Sequence, residues 1–340
     1  MTLHIIVVGM LSFFLTVALV SKGGRLANKL GLIDLPGGRK KHLHPTPLMG
    51  GLTILFIIAP LMIAYTLIYP YYFQNAIIAI ASVGTLIAGL AIFDDRVHIP
   101  AFIRLIISAL FFGVAMWFIP GLQIGTVSWS GGTEYLSLGR FTIILTVLSL
   151  VAFINAINMA DGKNGLVTGL CFGFSLILLV SARANLGPII AILTGATLAL
   201  FIFNLRGQIF LGDGGSYGLA AFIGLFSIYV YQRSDLLVSA DQIGLMFMVP
   251  VGDMGRLMIT RIRERKSPFE PDRNHLHHLL QDWIGWRKGL LVYWCMIFVP
   301  AIIAIILPWS SWILILLSIA TYFTVFLFCK QSKAKEVLLH

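Results

Sequence analysis

Five aspartates stand where an apolar chain tolerates charge poorly: Asp94, Asp95, Asp161, Asp213 and Asp253. Each lies at the end of a long hydrophobic run. A carboxylate at membrane depth costs about 2.5–3.5 kcal/mol on insertion scales, so such residues usually serve function. Five of them on one face of a bilayer would hold a divalent cation and, through it, phosphate oxygens.

The residues around these aspartates sharpen that chemistry. Asp94 and Asp95 follow Phe93 and precede Arg96. Neighbouring carboxylates on a helix point about 100° apart, so one meets a metal while the other meets a proton or a substrate hydroxyl. A helix C-terminus disfavours anions, which argues against a merely solvated end. The segment Asn155–Gly165 places Asn158, Asp161 and Asn164 at intervals of three, with Gly162 and Gly165 permitting a tight turn whose N–H groups suit phosphate. Phe210–Ser216 sets three glycines around Asp213, so the backbone can approach a ligand closely, and Ser216 is expected to cap the next helix. In the longest inner loop, Asp272 and Arg273 adjoin His275, His277 and His278. These histidines read as hydrogen-bond donors to phosphate, since zinc would normally want cysteine or spaced His and carboxylate ligands. Finally, Arg39, Lys40 and Lys41 begin a basic stretch running to Gly50 and Gly51, suited to anionic lipid or to a nucleotide.

The elements that must position these groups are membrane spans. The chain of 340 residues is 58% hydrophobic and 11% charged, with a mean hydropathy of +0.92, far from the roughly 25% charged residues of soluble domains. Spans are expected at 3–21, 48–69, 74–93, 100–119, 140–158, 165–182, 187–204, 215–231, 242–259, 288–308 and 311–329. The fold class is therefore all-α polytopic, with about 11 transmembrane helices in a single domain, 1–340. Its motif-bearing core is about 25–285, followed by two last helices within 288–329 and a short tail, 330–340. Lys and Arg crowd alternate connections, which places the N-terminus outside, and the C-terminus and all five aspartates at the cytoplasmic face. The net charge of +10 is explained by that bias, and no basic folded surface for nucleic acid appears. Cys171, Cys295 and Cys329 lie in apolar runs without metal spacing and read as packing residues. The longest outer connection, 120–139, reads as a small hairpin or an interfacial segment. The absence of a sizeable outer domain argues against a receptor.

With these motifs in order, the chain resembles the polyprenyl-phosphate N-acetylhexosamine-1-phosphate transferases, glycosyltransferase family 4, of which WecA and MraY are types. The resemblance covers about residues 25–285. It rests on Pro47–Gly51, Asp94–Asp95, Asn155–Gly165, Phe210–Ser216, Val249–Asp253 and His275–His278. The stretch Ser267–His278 is closest to the WecA-type branch. The resemblance implies Mg²⁺-dependent transfer of a sugar 1-phosphate, GlcNAc 1-phosphate first, from a UDP-sugar to undecaprenyl phosphate. UMP leaves, and a lipid-linked surface glycan such as O-antigen is begun at the bacterial inner membrane. Mn²⁺ is the expected substitute metal, and a homodimer the expected assembly.

Carried over by position, Asp94, Asp95 and Asp213 are the catalytic and metal-binding carboxylates, and His275, His277 and His278 are catalytic. Asn158, Asp161, Asn164, Asn204, Phe210, Arg273 and Lys41 are substrate contacts, with Phe210 stacking on uracil. Two positions depart from the pattern. His98 stands near where many members have a third Asp or a Lys, and Asn164 stands where many have a second Asp. Asparagine keeps the hydrogen bonding but loses the charge. The competing readings are the same chemistry on another UDP-amino sugar, and an ion-coupled transporter. The latter would set its charges near the bilayer midplane.

Overall fold

Without water in the bilayer core, a spanning segment must satisfy its own backbone, so the apolar runs become helices. A computed structural model describes residues 2–36, 44–71, 73–97, 99–132, 134–233, 239–268 and 272–339. Lys41, its neighbours Arg39 and Lys40, and His98 lie outside the described residues. Ten helices among those described are long and apolar enough to cross a membrane. The remaining expected span, 165–182, is a 16-residue helix, Leu166–Ser181. At 1.5 Å per residue it is about 24 Å long, short of the roughly 30 Å hydrocarbon core. The chain is a multi-pass all-α protein, and it divides into two compact units.

The first unit comprises Met1–Ile124 and Gly139–Ser234. Its helices are α1 (Thr2–Lys22), α2 (Gly24–Lys29), α3 (Gly50–Thr53), α4 (Ala59–Ile68), α5 (Gln74–Val97), α6 (Ala101–Phe118), α7 (Thr142–Ala160), α8 (Leu166–Ser181), α9 (Gly187–Leu205) and α10 (Gly212–Tyr231). A π-turn, Ile54–Ile58, joins α3 to α4 just before Pro60, whose missing N–H would interrupt a regular ladder. At the core stands α10, with every residue from Gly214 to Tyr231 buried. Small residues let its neighbours approach. A Cβ on Gly218 would lie 2.8 Å from Cβ of Ala88, and one on Gly84 would lie 2.4 Å from the Phe222 ring. Helix α1 packs on α9 in the same manner. A Cβ on Gly195 would fall 2.1 Å from the Gly9 carbonyl oxygen, and Ser12 Oγ donates to the Ile192 carbonyl at 2.7 Å. Close backbone approach of this kind holds helices together where lipid removes any hydrophobic drive.

Two backbone straps fix the loops beside the expected site. Strand β1 (Ile33–Asp34) pairs antiparallel with β2 (Thr46–Pro47). From there Met49 N–H donates to the Phe210 carbonyl at 2.9 Å, Phe210 N–H to the Pro47 carbonyl at 3.0 Å, and Gly50 N–H to the Leu211 carbonyl at 3.1 Å. The loop before α10 is thereby tied to the start of α3.

The second unit comprises Gly125–Leu138 and Asp235–His340. It contains a hairpin of β3 (Thr126–Ser128) and β4 (Tyr135–Ser137), as the alternation in 120–139 suggests. Its helices are α11 (Ala240–Arg263), α12 (Leu276–Ile284), α13 (Trp286–Ile306) and α14 (Ser311–Leu339). Helix α12 was not expected, because its nine residues fall below the length of any span. The expected tail from 330 continues as helix, the end of α14. A capping box of Ser239 and Gln242 starts α11. Buried Asp241 then accepts from the Ser130 N–H at 3.0 Å and from the Ser130 hydroxyl, which fastens the hairpin to that helix.

Gly195→Val should loosen α1 from α9, because the clash is with a carbonyl that cannot rotate away. Overpacking of this kind costs about 1–3 kcal/mol. Thermal unfolding in detergent should show a lowered midpoint, whereas Gly89→Ala, with nothing within 4 Å of the added Cβ, should leave it unchanged.

Candidate active site

Four helix ends in the first unit bring the chemistry together. Asp94 and Asp95 close α5, Arg104 lies in the first turn of α6, Asn158 ends α7, and Asp213 opens α10. Asp94 is buried, with Oδ1 accepting from the Ile99 N–H at 2.6 Å and Oδ2 paired with the Arg104 guanidinium. The same Arg104 Nη1 lies 3.7 Å from Oδ2 of Asp213. Asp213 Oδ1 accepts from Asn158 Nδ2 at 3.0 Å, and that amide also donates to Ser216 Oγ at 2.9 Å. Arg104 sits 5.0 Å over the Tyr217 ring, whose hydroxyl donates to Asn155 Oδ1 at 3.0 Å. Asp95 is exposed beside the group, and the Asp213 side chain is 40% exposed. Three carboxylates thus face one guanidinium, and the accessible ones are Asp95 and Asp213. The α10 N-terminus favours the charge on Asp213. Among the described residues, no three His, Cys, Asp or Glu side chains converge as a metal cage.

The glycines and Ser216 differ from expectation. Helix α10 begins at Gly212, so Ser216 lies inside it, accepting from Asn158 rather than capping. Gly212 adopts φ +71°, which lets the loop turn into the helix. Gly214 and Gly215 do not face a ligand cradle. A Cβ on Gly214 would lie 2.4 Å from Ile92 Cγ1 in α5, and one on Gly215 would lie 2.7 Å from Gly50 Cα in α3. These two glycines seat α10 against its neighbours.

The 161–165 turn is built by Asn204. Its Oδ1 accepts from the Gly165 N–H at 2.7 Å and from Thr168 Oγ1 at 3.0 Å, and its Nδ2 donates to the Ile209 carbonyl at 2.9 Å. At 3% exposure, Asn204 is a buried brace between two loops. The Gly165 N–H, expected to suit phosphate, is bound to that brace, with Gly165 itself at φ +83°. Asn164 Nδ2 lies close to Gly207, where an added Cβ would come within 3.1 Å. Asp161 sits in the turn with its carboxyl pushed up to about 7, first by burial and then by the charge of Asp213. Phe210 is half-buried, and its backbone is held by the strap to residues 47 and 49.

In the second unit, Asp253 is a hub. Its Oδ1 accepts from Arg256 Nη2 at 2.8 Å and from the Tyr322 hydroxyl at 2.7 Å. Its Oδ2 accepts from the Leu276 N–H at 3.2 Å and lies 3.3 Å from His275 Nδ1. Arg256 also donates to the Asn274 carbonyl at 2.7 Å. These bonds anchor the start of α12, where the three histidine rings gather, with His277 and His278 centroids 4.3 Å apart. His275, at the N-cap beside Asp253, is 8% exposed, and His277 only 1%, buried with Leu276, Leu279 and Leu280 of α12. His278 and Arg273 are the accessible members. Before them, Arg261 Nε donates to Asp272 at 2.8 Å. Burial tends to raise the Asp272 carboxyl, but the Asn274 N–H and the Arg261 guanidinium outweigh it and hold it below the usual range.

Of the expected residues, the first unit brings Asp94, Asp95, Asp213 and Asn158 to one cluster, with Asp161 in the adjoining turn. His275, His277, His278 and Arg273 belong to the second unit. Sequence reasoning missed Arg104, Tyr217, Arg256 and Tyr322. A lone arginine inside the 100–119 run was a signal for Arg104, since buried charge in a span needs a partner. The i, i+3 spacing of Asp253 and Arg256 was another. The tyrosines carried no signal.

The family model described as glycosyl transferase family 4 matches residues 77–231, which hold the whole acidic cluster. A protein of Escherichia coli (strain K12) named "Undecaprenyl-phosphate alpha-N-acetylglucosaminyl 1-phosphate transferase" is 31% identical over 277 residues, covering 79% of this chain and 74% of that one. A Yersinia pestis protein of the same name is 30% identical over 285 residues, with the same coverage. A Bacillus subtilis (strain 168) protein named "Probable undecaprenyl-phosphate N-acetylglucosaminyl 1-phosphate transferase" is 31% identical over 310 residues, covering 89% of this chain and 85% of that one. Similarity of this extent, running well beyond the clustered carboxylates, makes the chain a member of glycosyl transferase family 4, in its WecA-type branch.

Proposed function

We propose that this chain transfers N-acetylhexosamine 1-phosphate, with GlcNAc 1-phosphate as first choice, from a UDP-sugar to undecaprenyl phosphate. The observation that carries the reading is the convergence of Asp95 and Asp213 with the Asp94–Arg104 pair at three helix ends. The names of the relatives support the lipid acceptor and the amino sugar. In the reaction, an oxygen of the lipid phosphate bonds to the β-phosphorus of the UDP-sugar. The bond from that phosphorus to the bridging oxygen breaks, and UMP leaves with the electron pair.

The barrier is the approach of one anion to another. Lipid phosphate has a second pKa near 6, so its last proton is mostly gone at neutral pH. Positioning and charge neutralisation therefore outweigh base catalysis. Arg104 offers guanidinium N–H groups to phosphate oxygens, and Asp94 holds it in place. Asp213 and Asp95 would hold Mg²⁺, with Mn²⁺ as substitute, and the ion supplies charge neutralisation on phosphate oxygens when bound. Hard oxygen donors suit it, and Mg²⁺ is usually held by one or two carboxylates plus substrate phosphates and water, so a preformed three-residue cage is not needed. Asn158 orients Asp213. Asp161, Asn164 and Phe210 are proposed nucleotide contacts, and His278 and Arg273 proposed phosphate contacts in their own unit.

The bacterial cytoplasmic membrane is the proposed location, with the N-terminus outside and the acidic cluster facing the cytoplasm. The product would start a lipid-linked surface glycan such as O-antigen, and the assembly is proposed as a homodimer. The clustering of charge at helix ends speaks for an enzyme over a transporter, which would set its ion site near mid-membrane.

UMP release from UDP-GlcNAc by the purified chain with undecaprenyl phosphate tests the reading, beside a panel of other UDP-amino sugars. Asp213→Asn should lower turnover at least about 100-fold, a typical loss for a group that stabilises developing charge. Turnover within tenfold of wild type would remove the metal assignment. Asp94→Asn and Asp95→Asn should fail differently. The first breaks a buried pair at a cost of about 3 kcal/mol and should lower the unfolding midpoint, while the second should lower turnover with the midpoint unchanged. Chelation with EDTA should abolish UMP release, and added Mg²⁺ should restore it more fully than Mn²⁺. Activity that persists through exhaustive chelation would sink the metal-assisted route.

A further inference from the structure

The end of α10 remote from the carboxylates carries a second polar feature. A cavity of about 260 Å³ lies there, lined in part by Phe73, Arg183, Asn185, Leu186, Tyr229 and Arg233. Tyr229 is about 24 Å along the helix axis from Asp213. The cavity therefore belongs to the opposite membrane face and shares no residue with the acidic cluster.

Its walls divide by chemistry. Phe73, Leu186 and Tyr229 are buried, whereas Arg183 and Asn185 are exposed and Arg233 half-exposed. Apolar floor and cationic rim are thus combined, with no carboxylate among the described lining residues. Arg233 is held in place. Its guanidinium carbon lies 3.9 Å from the Tyr229 ring centroid, and Nη1 donates to the Tyr229 carbonyl at 3.3 Å. Its Nη2 rests against Gly121, where an added Cβ would come within 2.9 Å. A guanidinium carries five N–H donors in a planar fork. Across the cavity, the turn at Arg183–Leu186 leads into α9, a helix of 19 residues without a side-chain cap. The positive end of its dipole adds to the two arginines.

We infer that this cavity binds the phosphate headgroup of an anionic membrane lipid in the leaflet opposite the acidic cluster. The volume falls below the roughly 300–1,000 Å³ of pockets for drug-sized ligands, and it suits a headgroup. Two guanidinium groups provide the fork geometry that matches phosphate oxygens. A lipid source is favoured over a free anion by the surroundings. Ile5 of α1 packs on Gly187 at the start of α9, and Leu3, Ile6 and Val7 of the same helix end are exposed. A lipid-facing apolar surface thus adjoins the turn that bears Arg183. The inference is independent of the transfer reaction.

Native mass spectrometry of the full chain in a non-ionic detergent tests it, titrating phosphatidylglycerol and phosphatidylcholine separately. One phosphatidylglycerol should be retained more tightly than phosphatidylcholine. The double variant Arg183→Gln with Arg233→Gln should weaken that binding at least about tenfold, as expected for lost hydrogen bonds to a charged group. Asn185→Trp, at an exposed rim position, should also displace the lipid by filling the cavity, while Asp213→Asn should retain it. Equal retention by wild type and by both rim variants would overturn the site. Thermal protection of wild type by inorganic phosphate alone, lost in the double variant, would overturn the lipid assignment in favour of a soluble anion.

Discussion

Arg104 is the cation paired with the acidic cluster, and the meeting of three helices follows from it. Asp94 is buried at the end of α5, where the helix dipole works against an anion. Pairing with Arg104 and an N–H bond from Ile99 offset that penalty. The same guanidinium reaches toward Asp213 and lies over Tyr217, so α5, α6 and α10 meet at a single side chain. One cation facing three carboxylates leaves the group negative. Under the proposed reaction, a further cation would offset that charge as two phosphates approach.

Small residues make that meeting geometrically possible. Helix α10 is buried along its length and must be narrow on several sides. Gly214 and Gly218 let the α5 backbone come close, Gly215 does the same for α3, and Gly218 also leaves room for the Ile54 side chain of the π-turn. A motif of glycines around an aspartate invites the idea of a phosphate cradle. Here those glycines seat the helix, and the aspartate at its N-terminus meets Asn158 and Arg104. Asn204 has a similar indirect part, bracing the 161–165 turn and the 206–210 loop from below.

The second unit organises charge in the same way with other residues. Asp253 gathers Arg256, Tyr322, His275 and the Leu276 N–H, and the four contacts fix where α12 begins. Much of what a span-embedded carboxylate does is therefore to hold other polar groups still. Low dielectric strengthens each such bond and penalises each unmade one, so hub residues and reacting residues look alike in sequence.

Composition, the lengths of the apolar runs and the order of the polar motifs were enough to establish a multi-pass helical protein and its family resemblance. Hydrophobic length and the cost of charge in lipid are properties of the chain itself. The lone arginine in the 100–119 run and the Asp253–Arg256 spacing were also legible there. The packing of Asn204, Gly214, Gly215 and His277 was not, nor was the pairing of Asp94 with Arg104. Those depend on which side chain meets which neighbour across separate helices. Only the tertiary packing decides whether a polar group faces solvent, a substrate or another part of the protein.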